Sequence, residues 1–396
     1  MLDDTRAFCA AHAGWARATL LRLAALESPS DDKAALDRCS SVLHDLVAAL
    51  GARVTVSKQA SAGDHLVARL GHGPAKVLLL SHFDTVWPVG QLAAMPLDER
   101  DGRLYGPGVY DMKGGLVIGL LAARALFESP RPPEIELTCL FTSDEEIGSA
   151  TSRPLIEAEA SRSDAVLVLE PALRDGAVKT ARKGVGEFRL TVHGVAAHAG
   201  ADVRRGASAI VELAHQVLAL QGLQDPDAGL TFNVGVVEGG TRSNVVAERA
   251  VAEIDVRISR LEDGPRVEAA LSGLQPIVPG THLELTGRVN RPPMVRTPGV
   301  ARLYELARGV GAALGMDLAE GRTGGASDGN FTAAMGVPTL DGLGAVGDGA
   351  HALDEHVVLG EMPARASLLA GLIAEIARHR LELEEISRAS GVLRPR

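Results

Sequence analysis

The chain has 396 residues, of which 46% are hydrophobic, and its formal net charge at neutral pH is −10. This length allows two or three domains, and the apolar content is typical of a globular protein with a large core. The negative charge argues against nucleic acid and anionic membranes as partners, because both repel an acidic protein.

The N-terminal segment starts acidic and reads as an amphipathic helix, not as a signal peptide. No apolar run reaches the roughly 18 residues of a transmembrane helix. Cys9, Cys39 and Cys139 are odd in number and scattered, so they predict no disulfide framework. We therefore expect a cytoplasmic protein, although a chain whose signal peptide has been removed would read the same way.

Helical and strand-like segments alternate along the first part of the chain. Helices are predicted near 3–27, from the ESPSDD break to Gly51, at 113–127, and later near 298–314 and 361–383. Strand-like runs read ARVTV, HLVARL, KVLLLS, EIELTCLFT and AVLVLE. KVLLLS is apolar throughout, as expected of a strand covered on both faces. The order predicts an α/β domain with a mixed, mostly parallel sheet and helices on both faces.

The pattern changes in the middle of the chain. Strands reading GEFRLTVHG, LTFNVGVVEGG, VVAERAVAEIDVRIS and HLELTGRV are interspersed with helices near 206–220 and 263–273. We expect an inserted α+β domain with a four-stranded sheet at 184–292. The Pro-rich segment RVNRPPMVRTPG marks the return to the first domain, which would then comprise 1–183 and 293–396.

Acidic and imidazole side chains follow the predicted strands of the first domain, in loops rich in Gly, Ser and Thr. They are His82 and Asp84 in SHFDTV, Asp111 in YGPGVYDMKGG, Glu145 and Glu146 in FTSDEEIGS, Glu170 in VLVLEPA, and His351 in GDGAH. Oxygen and imidazole donors of this kind suit two nearby divalent metal ions and a hydrolytic water. The carboxylates of three ligands and one hydroxide would balance the charge of two dications.

Each of these motifs also has a purely structural interpretation. Asp84 can fix the tautomer of His82, or it can cap a helix. Asp111 can be the N-cap of the helix that follows it. Glu145 and Glu146 repel one another, so a metal would let one bind while the other transfers a proton; SDEE is also common as a solvated loop.

Taken together, the motifs resemble those of the M20 metallopeptidases, and within them the glutamate carboxypeptidases. The matching motifs are SHFDTV, YGPGVYDMKGG, TSDEEIGS, LEPA, GVAAHAG, RTGGASDGNF and GDGAH, and they span almost the whole chain. The resemblance implies two divalent ions per subunit, Zn²⁺ first, with Co²⁺ or Mn²⁺ as alternatives. In this family His82 and Glu170 would bind one ion, Glu146 and His351 the other, and Asp111 would bridge them.

The resemblance implies further roles. Asp84 would orient His82, and Glu145 would be the general base that deprotonates the bridging water and later protonates the leaving amine. The peptide bond after Asp111 is expected to be cis. The 184–292 insertion would be the family's lid and dimer interface. From it, His198 in GVAAHAG would reach the partner subunit's active site and donate to the developing oxyanion.

Candidates for binding the substrate carboxylate are Asn244, Arg257, Arg291, Arg322 and Gly325. Arg257 could equally form a structural ion pair within its strand. Arg322 could simply stabilise its own loop. Ile147 stands where the glutamate carboxypeptidases carry Lys, and Asn330 lies near an Arg of the desuccinylases. Both positions are expected to border the pocket, so glutamate specificity stays open.

We therefore expect a hydrolase that cleaves the amide of a small peptide or N-acyl amino acid and releases a C-terminal, glutamate-like residue. The alternative within the family is an N-acyl amino-acid or succinyl-diaminopimelate deacylase. A metal-loaded binding protein without catalysis is a further alternative. Glu145 argues against it, because binding alone needs no second glutamate beside a ligand.

Overall fold

A computed structural model of the protein describes residues 2–389. They form two compact units. Unit 1 comprises the described residues of Met1–Ala181, Val295–Arg322 and Ser327–Arg396, and unit 2 comprises Arg182–Met294 with Thr323–Ala326. Among the described residues, no helix is both long enough and apolar enough to cross a membrane.

The chain before the insertion alternates helices and strands. They are α1 (Leu2–Ala11), α2 (Ala13–Ala24), α3 (Lys33–Ala48), β1 (Arg53–Ser57), β2 (His65–Gly71), β3 (Ala75–His82), α4 (Gln91–Ala94), β4 (Asp98–Arg100), β5 (Arg103–Tyr105), α5 (Gly114–Phe127), β6 (Ile135–Thr142), α6 (Arg153–Ser161), β7 (Ala165–Val168) and β8 (Val178–Arg182).

The insertion and the returning segment follow. The insertion contains β9 (Gly184–His193), α7 (Ala209–Gly222), β10 (Thr231–Gly239), β11 (Arg249–Ile258), α8 (Asp263–Ser272) and β12 (His282–Arg291). The returning segment contains α9 (Pro298–Ala313), β13 (Glu320–Thr323), α10 (Gly329–Ala334), β14 (Thr339–Leu340), β15 (Gly347–Asp348), β16 (His356–Val358), α11 (Met362–Arg378) and α12 (Arg380–Ala389).

The main sheet of unit 1 has six strands in the order β1-β2-β6-β3-β7-β14. The pairs β6–β3, β3–β7 and β7–β14 are parallel, whereas β1–β2 and β2–β6 are antiparallel. Along β3, Val77 and Leu79 pack into the core that includes α5 and α11, while Leu78 and Leu80 pack with α6 and α10 on the other face. The predicted mixed, mostly parallel sheet with helices on both faces is confirmed.

Two helices that were expected to be continuous are each broken at a histidine. The helix predicted near 3–27 is divided at His12, and the one predicted near 361–383 is divided at His379. His12 has φ −102° and ψ 14°, outside the helical region, and its Nδ1 lies 2.8 Å from the carbonyl oxygen of Phe8. Hydropathy spacing alone does not register such a local side-chain interaction with the backbone.

Unit 2 is built on a four-stranded antiparallel sheet in the order β10-β11-β9-β12. Alternate residues of β9, including Phe188 and Leu190, join an apolar cluster with Leu213 of α7 and Val267 of α8. Strand β11 begins at Arg249, later than its apolar pattern predicted. The preceding residues hydrogen-bond to other loops of unit 2 instead of to the sheet.

Asp64 joins three parts of unit 1 through its buried carboxylate. It accepts hydrogen bonds from Lys58 Nζ at 2.6 Å, the Gln59 amide at 3.0 Å and Lys33 Nζ at 3.1 Å. Burial opposes ionisation, but these donors outweigh it and lower the pKa of Asp64 to about 2. The ionised form is therefore favoured in the folded state.

We expect Asp64→Asn to lower the free energy of unfolding at pH 7 by about 2 kcal/mol, because a depressed folded-state pKa stabilises the protein above the unfolded value. The difference from wild type should shrink as pH falls from about 4 towards 2. Urea denaturation at several pH values measures it, with Asp98→Asn, at an exposed ion pair, as the control. A loss that is independent of pH would contradict the electrostatic explanation.

Candidate metal centre

Four of the predicted site residues of unit 1 lie at the carboxyl ends of three neighbouring parallel strands. His82 is the last residue of β3, which lies between β6 and β7. Glu145 and Glu146 occupy a short helical turn after β6, and Glu170 follows β7 by two residues. This edge is where open α/β sheets place ligand-binding groups.

One group of ligand atoms surrounds His82, whose side chain is buried. Its Nε2 lies 3.5 Å from Asp111 Oδ1 and 3.4 Å from Glu170 Oε1. A carboxylate oxygen of Glu145 also lies within 4.8 Å of the ligand atoms of His82 and Glu170. The structure therefore gathers the predicted ligands of the first ion, with the predicted base beside them.

A second group forms around His351, which approaches the opposite side of Asp111. Its Nε2 lies 3.3 Å from Glu146 Oε2 and 3.5 Å from Asp111 Oδ2. His351 has φ +62°, a left-handed conformation that is uncommon for a residue other than glycine. Asp111 thus presents one oxygen to each histidine, as a bridging carboxylate would.

These distances fit metal ions. Two ligands that are each about 2.1 Å from a tetrahedral ion lie about 3.4 Å from one another, and the separations around both histidines are 3.3 to 3.5 Å. His82 Nε2 and Asp111 Oδ1 are buried and have no hydrogen-bond partner among the described residues. The oxygen and imidazole donors suit zinc, manganese or cobalt.

The cluster carries a high density of negative charge. Burial opposes protonation of His82, but Asp111, Asp84 and Glu170 raise its pKa well above the ordinary value. The carboxylates of Asp111 and Glu146 raise the pKa of His351 to about 10. A site that binds protons so strongly also attracts divalent cations, which can take the place of those protons.

Asp84 ties two ligand loops together. Its fully buried carboxylate accepts hydrogen bonds from Ser30 Oγ at 2.7 Å and from the amides of Glu145 and Glu146 at 3.2 and 3.1 Å. His82 Nδ1 lies 3.3 Å from Asp84 Oδ1 and 3.0 Å from its carbonyl oxygen. Asp84 is therefore placed to orient His82, and it is not the N-cap residue of the helix that follows it, which is Gly90.

Asp111 lies in an irregular turn before α5. Its φ and ψ are −113° and 96°, so it is not helical, and the position before the helix belongs to Lys113. The alternative role of Asp111 as an N-cap is therefore wrong. The peptide bond between Asp111 and Met112 is cis, as predicted.

His198 is exposed in unit 2. Its Nδ1 accepts hydrogen bonds from the amides of Gly200 and Ala201, both at 3.1 Å. The neutral ring must then carry its hydrogen on Nε2, which makes that atom a donor. The amide of Ala199 donates to the carbonyl of Asn244 at 3.0 Å, so two of the predicted site residues lie in adjoining loops.

The other candidates for carboxylate binding have different surroundings. Arg257 forms a bidentate ion pair with Asp255, at 2.8 and 2.7 Å, which is the structural alternative considered for it. Arg291 is buried at the end of β12. Arg322 is exposed, and the carbonyl of Gly325 accepts a hydrogen bond from a buried arginine at 3.2 Å.

Two positions were expected to border the pocket. Ile147 is 62% exposed and is next in sequence to the predicted ligand Glu146. Asn330 has no exposed surface, and its Oδ1 accepts a hydrogen bond from the amide of Ser327 at 3.0 Å. The expectation for Asn330 is therefore wrong, because its side chain braces its own loop within the interior.

Two supporting residues were not found from the sequence. Glu355 accepts four hydrogen bonds, three from backbone amides of the turn that carries Asp111 and one from Trp87 Nε1. Arg365, also fully buried, donates to the carbonyls of Gly344 at 3.0 Å and of Gly176 at 2.8 Å. The amide of Gly344 in turn donates to the carbonyl of Glu170 at 2.9 Å. The sequence offers only one indication of them, namely that Glu355 is an acid four residues after His351.

Comparison with known proteins agrees with this geometry. The model of peptidase family M20/M25/M40 matches residues 78–375. The chain is 32% identical to carboxypeptidase G2 of Pseudomonas sp. (strain RS-16) over 90% of its own length and 88% of that protein.

The chain belongs to peptidase family M20/M25/M40.

Two further similarities, one to a relative and one to a solved structure, were found. It is 31% identical to a succinyl-diaminopimelate desuccinylase of Rhodospirillum centenum, over 84% of its length and 89% of that protein. The crystal structure of the aminopeptidase PepT of Bacillus cereus has the same fold, with a TM-score of 0.75, 23% identity, and coverage of 91% of this chain and 98% of that one. This M20 protein is an enzyme of the metallo-carboxypeptidase and amidohydrolase type.

We expect Asp84→Asn to weaken metal binding about 10–100-fold, because an amide cannot accept both loop amides and also orient His82. Competition with a chromogenic chelator measures the affinity. Asp45→Asn, at an exposed site on α3, is the matched control and should leave it unchanged. An unchanged affinity in Asp84→Asn would show that His82 is held in place without this carboxylate.

Proposed function

We propose that the protein binds two divalent metal ions, Zn²⁺ first, and hydrolyses an amide bond to release a C-terminal, glutamate-like amino acid. The observation that carries the proposal is the position of Asp111 between His82 and His351, with a different oxygen facing each ring. Glu170 completes the first ligand set, and Glu146 the second.

Each residue has a separate part in the proposed reaction. The two ions, when bound, would polarise the scissile carbonyl and lower the pKa of a water. Glu145 lies close to the His82 ligand set without being needed in either set. It takes the proton of the attacking water and passes it to the leaving amine. His198 donates from Nε2 to the oxyanion that develops on the carbonyl.

The carboxylate end of the substrate is assigned to the polar candidates predicted from the sequence. Asn244, Arg291, Arg322 and Gly325 remain our candidates for this role. Arg257 is the weaker candidate, because its guanidinium already pairs with Asp255. The second candidate function is deacylation of an N-acyl amino acid or of succinyl-diaminopimelate. It is favoured by the exposed Ile147, an apolar side chain next to Glu146.

We also propose that unit 2 forms a homodimer. Strand β10 is an edge of its sheet and exposes Val236 and Val237. Helix α7 exposes Ile210, Val211 and Leu218. Exposed apolar side chains on an unpaired edge strand and a nearby helix are typical of a subunit interface.

Replacing Glu145 with glutamine tests the proposed chemistry. Glu145→Gln should lower kcat about 10²–10⁴-fold, because glutamine cannot transfer the proton, while two metal ions remain bound. Turnover is measured on a panel of N-acyl-glutamates, dipeptides and succinyl-diaminopimelate, and metal content by mass spectrometry. Glu157→Gln, at a surface ion pair of α6, is the control. Preference for a substrate without a C-terminal glutamate would favour the deacylase instead.

His198→Ala tests the oxyanion donor. It should lower kcat about 10²–10³-fold and leave metal content unchanged, because His198 is not a ligand. His193→Ala, an exposed histidine on the same unit, should have little effect. Mixed dimers of Glu145→Gln and His198→Ala subunits should regain activity if the histidine acts on the partner subunit. Verified mixed dimers without activity would assign it to its own subunit.

A further inference from the structure

Glu355 is a buried acid that neither set of ligands includes. Its side chain has no exposed surface. It lies four residues after His351, directly before strand β16. A carboxylate removed from water is strongly destabilising unless hydrogen bonds or charges replace its hydration. The partners of Glu355 therefore indicate why an acid is kept at this position.

Each oxygen of the carboxylate accepts two hydrogen bonds. Oε1 accepts from the amides of Tyr110 at 2.9 Å and Asp111 at 3.1 Å. Oε2 accepts from the amide of Gly108 at 2.9 Å and from Trp87 Nε1 at 2.8 Å. Three of the four donors are backbone amides of one turn, and turns whose amides converge in this way bind anions in many proteins. The conformation of the Asp111 turn thus depends on this one side chain.

The backbone of Glu355 belongs to the loop that carries the other ligand. Its amide donates to the carbonyl of Ala352 at 3.0 Å, closing the turn immediately after His351. Its carbonyl accepts from the amide of Gly106 at 3.1 Å, and the next residue, His356, pairs with Tyr105. One residue therefore links the two loops that approach each other at the second ligand set.

We propose that Glu355 is a positioning residue of the metal centre. Its carboxylate holds the Asp111 turn against the loop of His351, and so sets the spacing at which two ions share Asp111. Among the described residues its carboxylate hydrogen-bonds to none of the predicted ligand side chains; it acts through the backbone amide of Asp111. The inference rests on the proposed function, since only a two-ion site requires that spacing.

A matched control lies in unit 2. Glu212 is also fully buried, and its carboxylate accepts from the amides of Ile277 at 2.9 Å and Val278 at 2.6 Å, with Gln216 and Thr281 as further donors. Glu212→Gln and Glu355→Gln remove equivalent carboxylates from similar networks. A purely structural role would give both variants the same properties.

Titration of the metal-free proteins with Co²⁺, followed by visible absorption, tests the proposal. Glu355→Gln should weaken one of the two Co²⁺ sites about 10–100-fold and change its spectrum, as loss of outer supporting residues does in metalloproteins. Amide hydrogen exchange at Gly108, Tyr110 and Asp111 should become faster. Glu212→Gln should show a comparable fall in Tm, with both Co²⁺ sites and these exchange rates as in wild type.

Wild-type Co²⁺ affinities in Glu355→Gln, or equal weakening in Glu212→Gln, would overturn the proposal. If Glu355→Gln does not fold, Trp87→Phe decides, because it keeps the carboxylate and removes one donor; a weakening of several-fold supports the role, and none rejects it. If wild type itself binds fewer than two ions, the proposed function fails separately. The exchange rates then show separately whether Glu355 holds the Asp111 turn: faster exchange in Glu355→Gln supports this part of the proposal, and unchanged exchange rejects it.

Discussion

The candidate metal centre of unit 1 depends on keeping several carboxylates close together in a poorly hydrated place. Their mutual repulsion grows as water is removed, and no compact arrangement of this kind is stable without compensation. The protein supplies it with fixed donors. Backbone amides of Glu145 and Glu146 point at Asp84, and those of the Asp111 turn point at Glu355. The remaining negative charge faces the two histidines, where cations are favoured.

The acids of the centre consequently fall into two groups with different environments. Asp84 and Glu355 are enclosed by hydrogen-bond donors and hold loops together. Asp111 and Glu170 keep oxygens that face His82, at distances longer than a hydrogen bond. Arg365 supports Glu170 indirectly. It donates to the carbonyl of Gly344, and the amide of Gly344 donates to the carbonyl of Glu170. Rigid loops around the ligands reduce the reorganisation required when metal binds.

Much of this was accessible from the sequence, because long apolar strands make their own ends recognisable. Each ligand of the sheet edge follows such a run, as His82 follows KVLLLS. The two supporting residues that were not predicted, Glu355 and Arg365, do not follow such an apolar run. Three of the four donors to Glu355 are backbone amides far away in the chain, and residue identity does not reveal such donors because nearly every residue has an amide. The breaks at His12 and His379 and the burial of Asn330 likewise depend on local bonding that spacing does not encode.

The insertion also orders events during synthesis. Strands β3, β6 and β7 and the ligands up to Glu170 leave the ribosome before unit 2, whereas β14 and His351 follow it. Unit 2 is nearly contiguous in sequence, so it can fold while unit 1 still lacks an edge strand and a ligand. While the insertion is translated, the nascent chain therefore has an acidic sheet edge that still lacks β14 and His351. Of the two histidines predicted as ligands, His82 is present throughout that interval and His351 is synthesised after it.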